Sequence, residues 1–182
     1  DPKAFRNILE GLRELAGSLP VVFSIHPRTR KRIEQFALQQ FFRLDSGPQS
    51  KPETGPLSGP GIHVIEPLGY LDFLCLMKHA GIVVTDSGGI QEETTCLGIP
   101  CVTVRENTER PATLTWGTNV IAGTNPENIC KAIRLQLKGP SDSGPARRIP
   151  EKWDGKAALR IVDAIVAEFV RTMRSTSRDV RS

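Results

Sequence analysis

The residues of this chain best suited to hold an anion are Asp86-Ser87-Gly88-Gly89. They stand where an apolar run, Ile82-Val83-Val84-Thr85, gives way to a helical pattern over Gly89–Cys96. Glycines let a backbone approach a ligand closely. The first turn of a helix leaves N–H groups unpaired, and its dipole favours negative charge. Ser87 adds a hydroxyl donor. The chemistry that fits is the binding of a phosphate or a diphosphate. The same four residues also suit a tight turn in which Asp86 or Ser87 merely caps the helix. Glu92 and Glu93 follow within the first two turns. Carboxylates there are stabilised by the dipole, and beside a phosphate site they can accept from ribose hydroxyls. Spacing does not choose between the two.

Two other groups could act on an anion. Arg105-Glu106-Asn107-Thr108-Glu109-Arg110-Pro111 follows the β-rich run Pro100–Val104. An arginine at the mouth of an anion site can make paired hydrogen bonds to phosphate oxygens, although a solvated loop with internal ion pairs has the same composition. His26 ends the run Val21–Ile25 and precedes Pro27. A histidine there can bind phosphate or move protons near neutral pH. His63, which starts a strand, and His79, which ends a helix, read as structural.

The elements that must position these residues are legible from hydrophobic spacing. Phe5, Ile8, Leu9, Leu12 and Leu15 mark one face of a helix over residues 3–16. A strand follows at 21–25, then a helix over 29–42 carrying Ile33, Phe36, Ala37 and Phe41 on one side. Strands follow at 63–65, 82–85, 100–104 and 119–121. Helices lie at 70–79, 89–96, 126–137 and 155–173, the last with Leu159, Ile161, Val162, Ile165, Val166 and Phe169. Pro/Gly-rich loops occupy 45–61 and 139–150. Short apolar strands alternating with helices predict an α/β domain with a mainly parallel sheet covered on both faces. In such sheets ligands bind beyond the carboxyl ends of the strands, where His26, Glu66-Pro67, Asp86–Gly89, Arg105–Arg110 and Gly123-Thr124 all fall.

Composition narrows the function. The chain has 182 residues, 38% hydrophobic, 24% charged and 5% aromatic, with a net charge of +4. That length suits one domain, here taken as residues 1–182. The basic excess comes largely from Arg147, Arg148 and a tail of Arg171, Arg174, Arg178 and Arg181. It lacks the interleaved aromatics of a nucleic-acid surface, so no nucleic-acid partner is expected. No run approaches the roughly 20 apolar residues of a membrane span, and no membrane partner is expected. Cys75, Cys96, Cys101 and Cys130 form no CxxC pair. They read as reduced core thiols of a cytoplasmic protein, with no metal site. The start at Asp1-Pro2 is that expected of a segment of a longer protein.

In order along the chain stand His26-Pro27-Arg28-Thr29, Thr85-Asp86-Ser87-Gly88-Gly89-Ile90-Gln91-Glu92-Glu93, Leu97-Gly98-Ile99-Pro100, Thr108-Glu109-Arg110-Pro111, Gly117-Thr118-Asn119 and Gly123-Thr124. Together they resemble the C-terminal half of the non-hydrolysing UDP-N-acetylglucosamine 2-epimerase family, over roughly residues 3–170. The resemblance implies a Rossmann-like three-layer sandwich, one half of a GT-B-like two-domain enzyme. It implies interconversion of UDP-N-acetylglucosamine and UDP-N-acetylmannosamine by elimination and re-addition of UDP, without a metal or nicotinamide cofactor. Carried over by position, Ser87, Gly88 and Gly89 grip the diphosphate and Arg110 offsets its charge. Glu93 holds the ribose hydroxyls, Phe73 lies against the uracil, and the backbone around Leu68 reads its edge. His26 lies by the phosphates and sugar as the catalytic candidate.

The resemblance also implies partners: a UDP-sugar substrate, an N-terminal Rossmann-like half, and a second copy in a homodimer of the full-length enzyme. The acidic residues that move the C2 proton belong to that N-terminal half, so the chain alone is expected to bind UDP weakly and turn over nothing. Leu68 departs from the polar residue common in bacterial relatives, and the 45–61 loop is longer than the family needs. Two other readings share the phosphate turn: the nucleotide half of a GT-B-type glycosyltransferase, which Thr108-Glu109-Arg110-Pro111 disfavours, and a non-catalytic UDP-sugar-binding domain.

Overall fold

The structure, a computed structural model, describes residues 1–42, 60–139 and 149–179, with side chains as far as 172. Residues 45–59 of the first Pro/Gly loop, with 43–44 before it, and residues 140–148 of the second lie outside the described residues. The chain divides into two compact units, Asp1–Arg148 and Ile149–Ser182.

The first unit opens with helix α1 (Pro2–Ala16). Asp1 Oδ1 accepts from the Lys3 N–H at 2.8 Å, and Pro2 occupies the first helical position, where a missing N–H costs nothing. Five parallel strands follow: β1 (Pro20–Ser24), β2 (Gly61–Ile65), β3 (Val83–Thr85), β4 (Cys101–Thr103) and β5 (Asn119–Ile121). β1 pairs with β2, and β3, β4 and β5 pair in that order. Between and after them run α2 (Pro27–Gln35), α3 (Tyr70–Lys78), α4 (Gly88–Leu97), α5 (Pro111–Thr115) and α6 (Pro126–Leu137).

β4 shows how the layers form. Successive side chains on a strand face opposite ways. Val102 points into a core with Leu12 and Leu15 of α1 and Ile129 and Ile133 of α6. Thr103 faces the other way, where its Oγ1 donates to Asn119 Oδ1 at 2.7 Å. Asn119 in turn reaches Gln91 of α4. All three β4 residues are therefore buried, and the strand carries helices on both faces. This is the three-layer α/β/α arrangement with parallel strands that the alternating pattern predicts.

The α1–α6 contact is close because Gly11 has no side chain. A Cβ there would stand 3.2 Å from the Pro126 carbonyl oxygen and 3.3 Å from Ile129 Cβ. Cys130 Sγ donates to the Gly11 carbonyl at 3.3 Å, and Arg134 pairs with Glu14 at 2.7 Å on the exposed edge.

The helix expected over 29–42 is shorter than its spacing implied. α2 ends at Gln35, Ala37 takes φ 51°, and a short 3-10 turn covers Gln39–Phe41. In a continuous helix Leu38 would sit about 140° round from Ile33. The break, closed by the Leu38 N–H donating to the Ile33 carbonyl at 2.9 Å, turns Leu38 and Phe41 into the second core cluster. There they meet Leu9, Ile25 and Ile33. Burial of two large side chains outweighs the strain of one left-handed alanine.

The second unit is built around α7 (Ala157–Asp179). Asp154 precedes it and accepts from both terminal nitrogens of Arg160 and from the Lys156 N–H, each at 3.0 Å. The Arg160 guanidinium, then that backbone N–H, holds the Asp154 carboxyl down at about 2. Leu159, Ile165 and Phe169 of α7 are exposed. No helix among the described residues is long and apolar enough to cross a membrane.

Candidate functional site

The expected site residues follow strand ends. His26 comes after β1, Leu68 after β2, Ser87 after β3, Arg110 after β4 and Gly123-Thr124 after β5. Because the strands of each sheet are parallel, these ends share an edge within their sheet.

Ser87 is the residue before α4, with extended backbone at φ −87° and ψ 128°, and its side chain caps no helical N–H. Its own N–H donates instead to Thr85 Oγ1 at 3.0 Å. The simple capping role that the sequence also allowed is therefore not the one Ser87 performs. Among the described residues its hydroxyl and the first-turn amides of α4 are left for other partners.

Arg110 lies across this turn. A Cβ on Gly88 would stand 3.5 Å from Arg110 Cγ and Nε and 3.7 Å from Cζ. The guanidinium thus lies alongside Gly88, at a distance where an added Cβ would make ordinary van der Waals contact with it. Arg110 Nε is 3.0 Å from Glu92 Oε1, but the N–H is not aimed at that oxygen, and this buried nitrogen has no hydrogen-bond partner among the described residues. Both side chains are about two-fifths exposed, and such a pair contributes at most about 1 kcal/mol. The sequence left open which of Glu92 and Glu93 faces the anion turn; Glu92 is the one that meets Arg110. Arg105 pairs with Glu109 at 3.6 Å, the internal loop pairing that composition also allowed.

Glu106 of the same loop secures the β5 edge. Its Oε1 accepts from the Thr124 N–H at 3.1 Å and from Thr124 Oγ1 at 3.2 Å, and it packs on Gly123, whose φ is 68°. The loops after β4 and β5 are thereby tied together.

His26, Leu68 and Phe73 stand on other strand ends. His26 Nδ1 accepts from the Arg28 N–H at 3.2 Å and so starts α2. With Nδ1 accepting, a neutral His26 carries its proton on Nε2. Arg30 of α2 pairs with Glu66, joining α2 to the loop after β2. Leu68 is 39% exposed. Phe73 is half-buried in the first turn of α3, its N–H donating to the Gly69 carbonyl at 2.9 Å. No contact joins either residue to Arg110 or the Ser87 turn among the described bonds and ion pairs. No group of His, Cys, Asp and Glu with metal-site geometry occurs among the described residues.

A buried polar network that the sequence reading assigned no role sits directly behind Arg110. Gln91, Thr94, Thr103, Thr113, Thr118 and Asn119 are buried. Their signal was present as Thr103 and Asn119 within otherwise apolar strand runs. A polar residue buried in a strand must find partners.

The family described as UDP-N-acetylglucosamine 2-epimerase matches residues 1–166. The chain belongs to this family. The UDP-N-acetylglucosamine 2-epimerase of Methanocaldococcus jannaschii is 43% identical over 134 residues, which are 72% of this chain and 33% of that protein. The UDP-2,3-diacetamido-2,3-dideoxy-D-glucuronate 2-epimerase of Pseudomonas aeruginosa is 36% identical over 138 residues, 75% of this chain and 33% of that protein. The crystal structure of the Methanocaldococcus jannaschii UDP-GlcNAc 2-epimerase in complex with UDP-GlcNAc and UDP matches with a TM-score of 0.69 and 35% identity, covering 92% of this chain and 41% of that one. The chain thus spans about a third of the length of these two relatives. The glycosyltransferase alternative is not favoured by them.

Proposed function

We propose that residues 1–182 act as the UDP-binding domain of a 2-epimerase that interconverts UDP-N-acetylglucosamine and UDP-N-acetylmannosamine. The observation that carries the proposal is Arg110 laid across Gly88 beside the free first turn of α4. A cation and several N–H donors there converge on one small space, which suits a diphosphate.

In the proposed reaction a base removes the C2 proton and the C1–O bond breaks. UDP leaves with the electron pair, giving 2-acetamidoglucal. Re-addition of UDP after protonation on the opposite face completes the exchange, with no metal or nicotinamide involved. Departure of UDP adds negative charge to the diphosphate. Donors already aimed at that charge lower the barrier, and Ser87, Gly88, Gly89 and Arg110 supply them. Glu92 is committed to Arg110, which leaves Glu93 as the carboxylate for the ribose hydroxyls. Phe73 offers a half-buried ring to the uracil, and the backbone at Leu68 offers its polar groups to the base edge. The Nε2–H of His26 donates toward phosphate or sugar.

The proposal assigns the C2 proton chemistry to an N-terminal Rossmann-like half and pairs two full-length copies as a dimer in the cytoplasm. Unpaired cysteines accord with that compartment. A relative whose name specifies a different UDP-sugar supports UDP, rather than the sugar, as what this domain holds.

Calorimetric titration of the chain with UDP and with uridine tests the assignment. UDP binds at least about tenfold better than uridine, and Arg110→Ala removes most of that difference. Equal binding of the two ligands refutes it. For the full-length enzyme, solvent deuterium enters C2 during epimerisation; retention of the original hydrogen rules out elimination.

A further inference from the structure

The diphosphate reading makes Arg110 the group whose position matters most, and it stands at the end of the loop after β4, just before the short helix α5. What holds it is a chain of hydrogen bonds behind the site. The Arg110 N–H donates to Thr108 Oγ1 at 3.0 Å. The Arg110 carbonyl accepts from Thr113 Oγ1 at 2.7 Å and from the Thr113 N–H at 3.0 Å. Both hydroxyls lead to one side chain. Thr108 Oγ1 donates to Gln91 Oε1 at 2.5 Å. Thr113 Oγ1 accepts from Asn119 Nδ2 at 3.1 Å, and the same nitrogen donates to Gln91 Oε1 at 3.2 Å. Thr103 Oγ1 fixes the orientation of Asn119 by donating to its Oδ1 at 2.7 Å.

The donors and acceptors in this circuit leave Gln91 one workable orientation. Thr108 and Asn119 both present hydrogens, so Gln91 must present its oxygen to them. Its Nε2 is then buried with no partner among the described residues. Leaving an amide N–H unmet costs free energy, so the arrangement is not the one packing alone would favour. Gln91 is also fully buried on α4, one turn from Gly88. The helix whose N-terminus offers the anion donors therefore carries, one turn on, the acceptor that anchors the arginine loop.

We propose that Gln91 is a positioning residue for diphosphate binding. It clamps residues 108–113, the end of the loop and the start of α5, to α4, so that the guanidinium of Arg110 and the first-turn amides of α4 are held as one rigid anion site. This rests on the diphosphate reading above. A loose arginine must be ordered when the ligand binds, and that ordering subtracts from affinity. The clamp makes the ordering part of folding instead.

The test is the ratio of UDP to uridine affinity, measured by calorimetry on the 182-residue chain. Gln91→Met keeps the shape and removes the acceptor. Its ratio falls about tenfold while uridine affinity holds within about twofold. Because a buried change can unfold the chain, Thr108→Val breaks the same clamp from the loop side, and Thr108→Ser restores it. Gln91→Met combined with Arg110→Ala loses no more UDP affinity than Arg110→Ala alone, since both act through one group. A wild-type ratio in folded Gln91→Met or in Thr108→Val, with Arg110→Ala still impaired, overturns the clamp and leaves the diphosphate reading standing. A parallel loss of UDP and uridine binding in these variants also overturns it. A wild-type ratio in Arg110→Ala itself refutes the diphosphate reading and the clamp with it.

Discussion

Cys101 is fully buried in the centre of the sheet and Cys130 is buried against α1. Burial disfavours the thiolate and pushes both thiols up to about 11 from 9.0. Two expectations follow from the single residue. Iodoacetamide at pH 8 modifies exposed Cys75 in the native protein and reaches Cys101 and Cys130 only after unfolding, as peptide mapping will show. The pH dependence has a definite sign. A folded-state pKa above the unfolded value gives stability that is complete below about pH 9 and is lost as pH rises through about 11. For Cys101 the two-unit rise corresponds to about 2.7 kcal/mol at most. Urea midpoints between pH 8 and pH 11 fall in the wild type and fall less in Cys101→Val. Parallel curves for the two would acquit Cys101.

Two glycines of the α4 region matter for different reasons. Gly98 ends α4 with φ 71°, and a Cβ there would meet nothing within 4 Å. Gly98→Ala therefore costs only backbone strain, about 1 kcal/mol. Gly117 precedes β5, and a Cβ there would stand 2.6 Å from Thr95 Cγ2 and 2.7 Å from the Thr113 carbonyl oxygen. Thr95 Oγ1 donates to the Gln91 carbonyl at 2.8 Å, so the intruding methyl presses on the helix that carries the anion turn. Gly117→Ala is expected to cost about 1–3 kcal/mol by overpacking. It should also lower UDP affinity, which Gly98→Ala leaves unchanged. Chemical denaturation and titration of both variants separate the two mechanisms. Equal stability losses would count against the packing argument.

At the scale of the molecule, every buried hydrophobic residue among those described lies between Leu9 and Ile133. The core is thus complete within Asp1–Arg148. A chain ending at Arg148 is expected to keep a cooperative thermal transition by circular dichroism, because both core clusters are built from residues of this unit. A broad, non-cooperative melt would show that the second unit is needed for folding.

The sequence by itself determined the longer helices and the strands, though not the short α5, together with the parallel α/β class and the candidate anion turn. These are short-range properties: periodicity selects helix or strand, and glycines after a strand admit the turn. It also carried Ser87, Gly88, Gly89 and Arg110 as one motif set, because their spacing matches a family pattern. Tertiary structure alone decided the rest. Whether residues 29–42 stay helical depended on where Leu38 and Phe41 could be buried. Adjacent Glu92 and Glu93 could not be told apart until Arg110, folded back from beyond β4, met one of them. Gln91, Thr108, Thr113 and Asn119 read separately as ordinary polar residues. Their joint hold on Arg110 exists only because three segments distant in sequence bring donors and acceptors within bonding range, and no local pattern encodes that meeting.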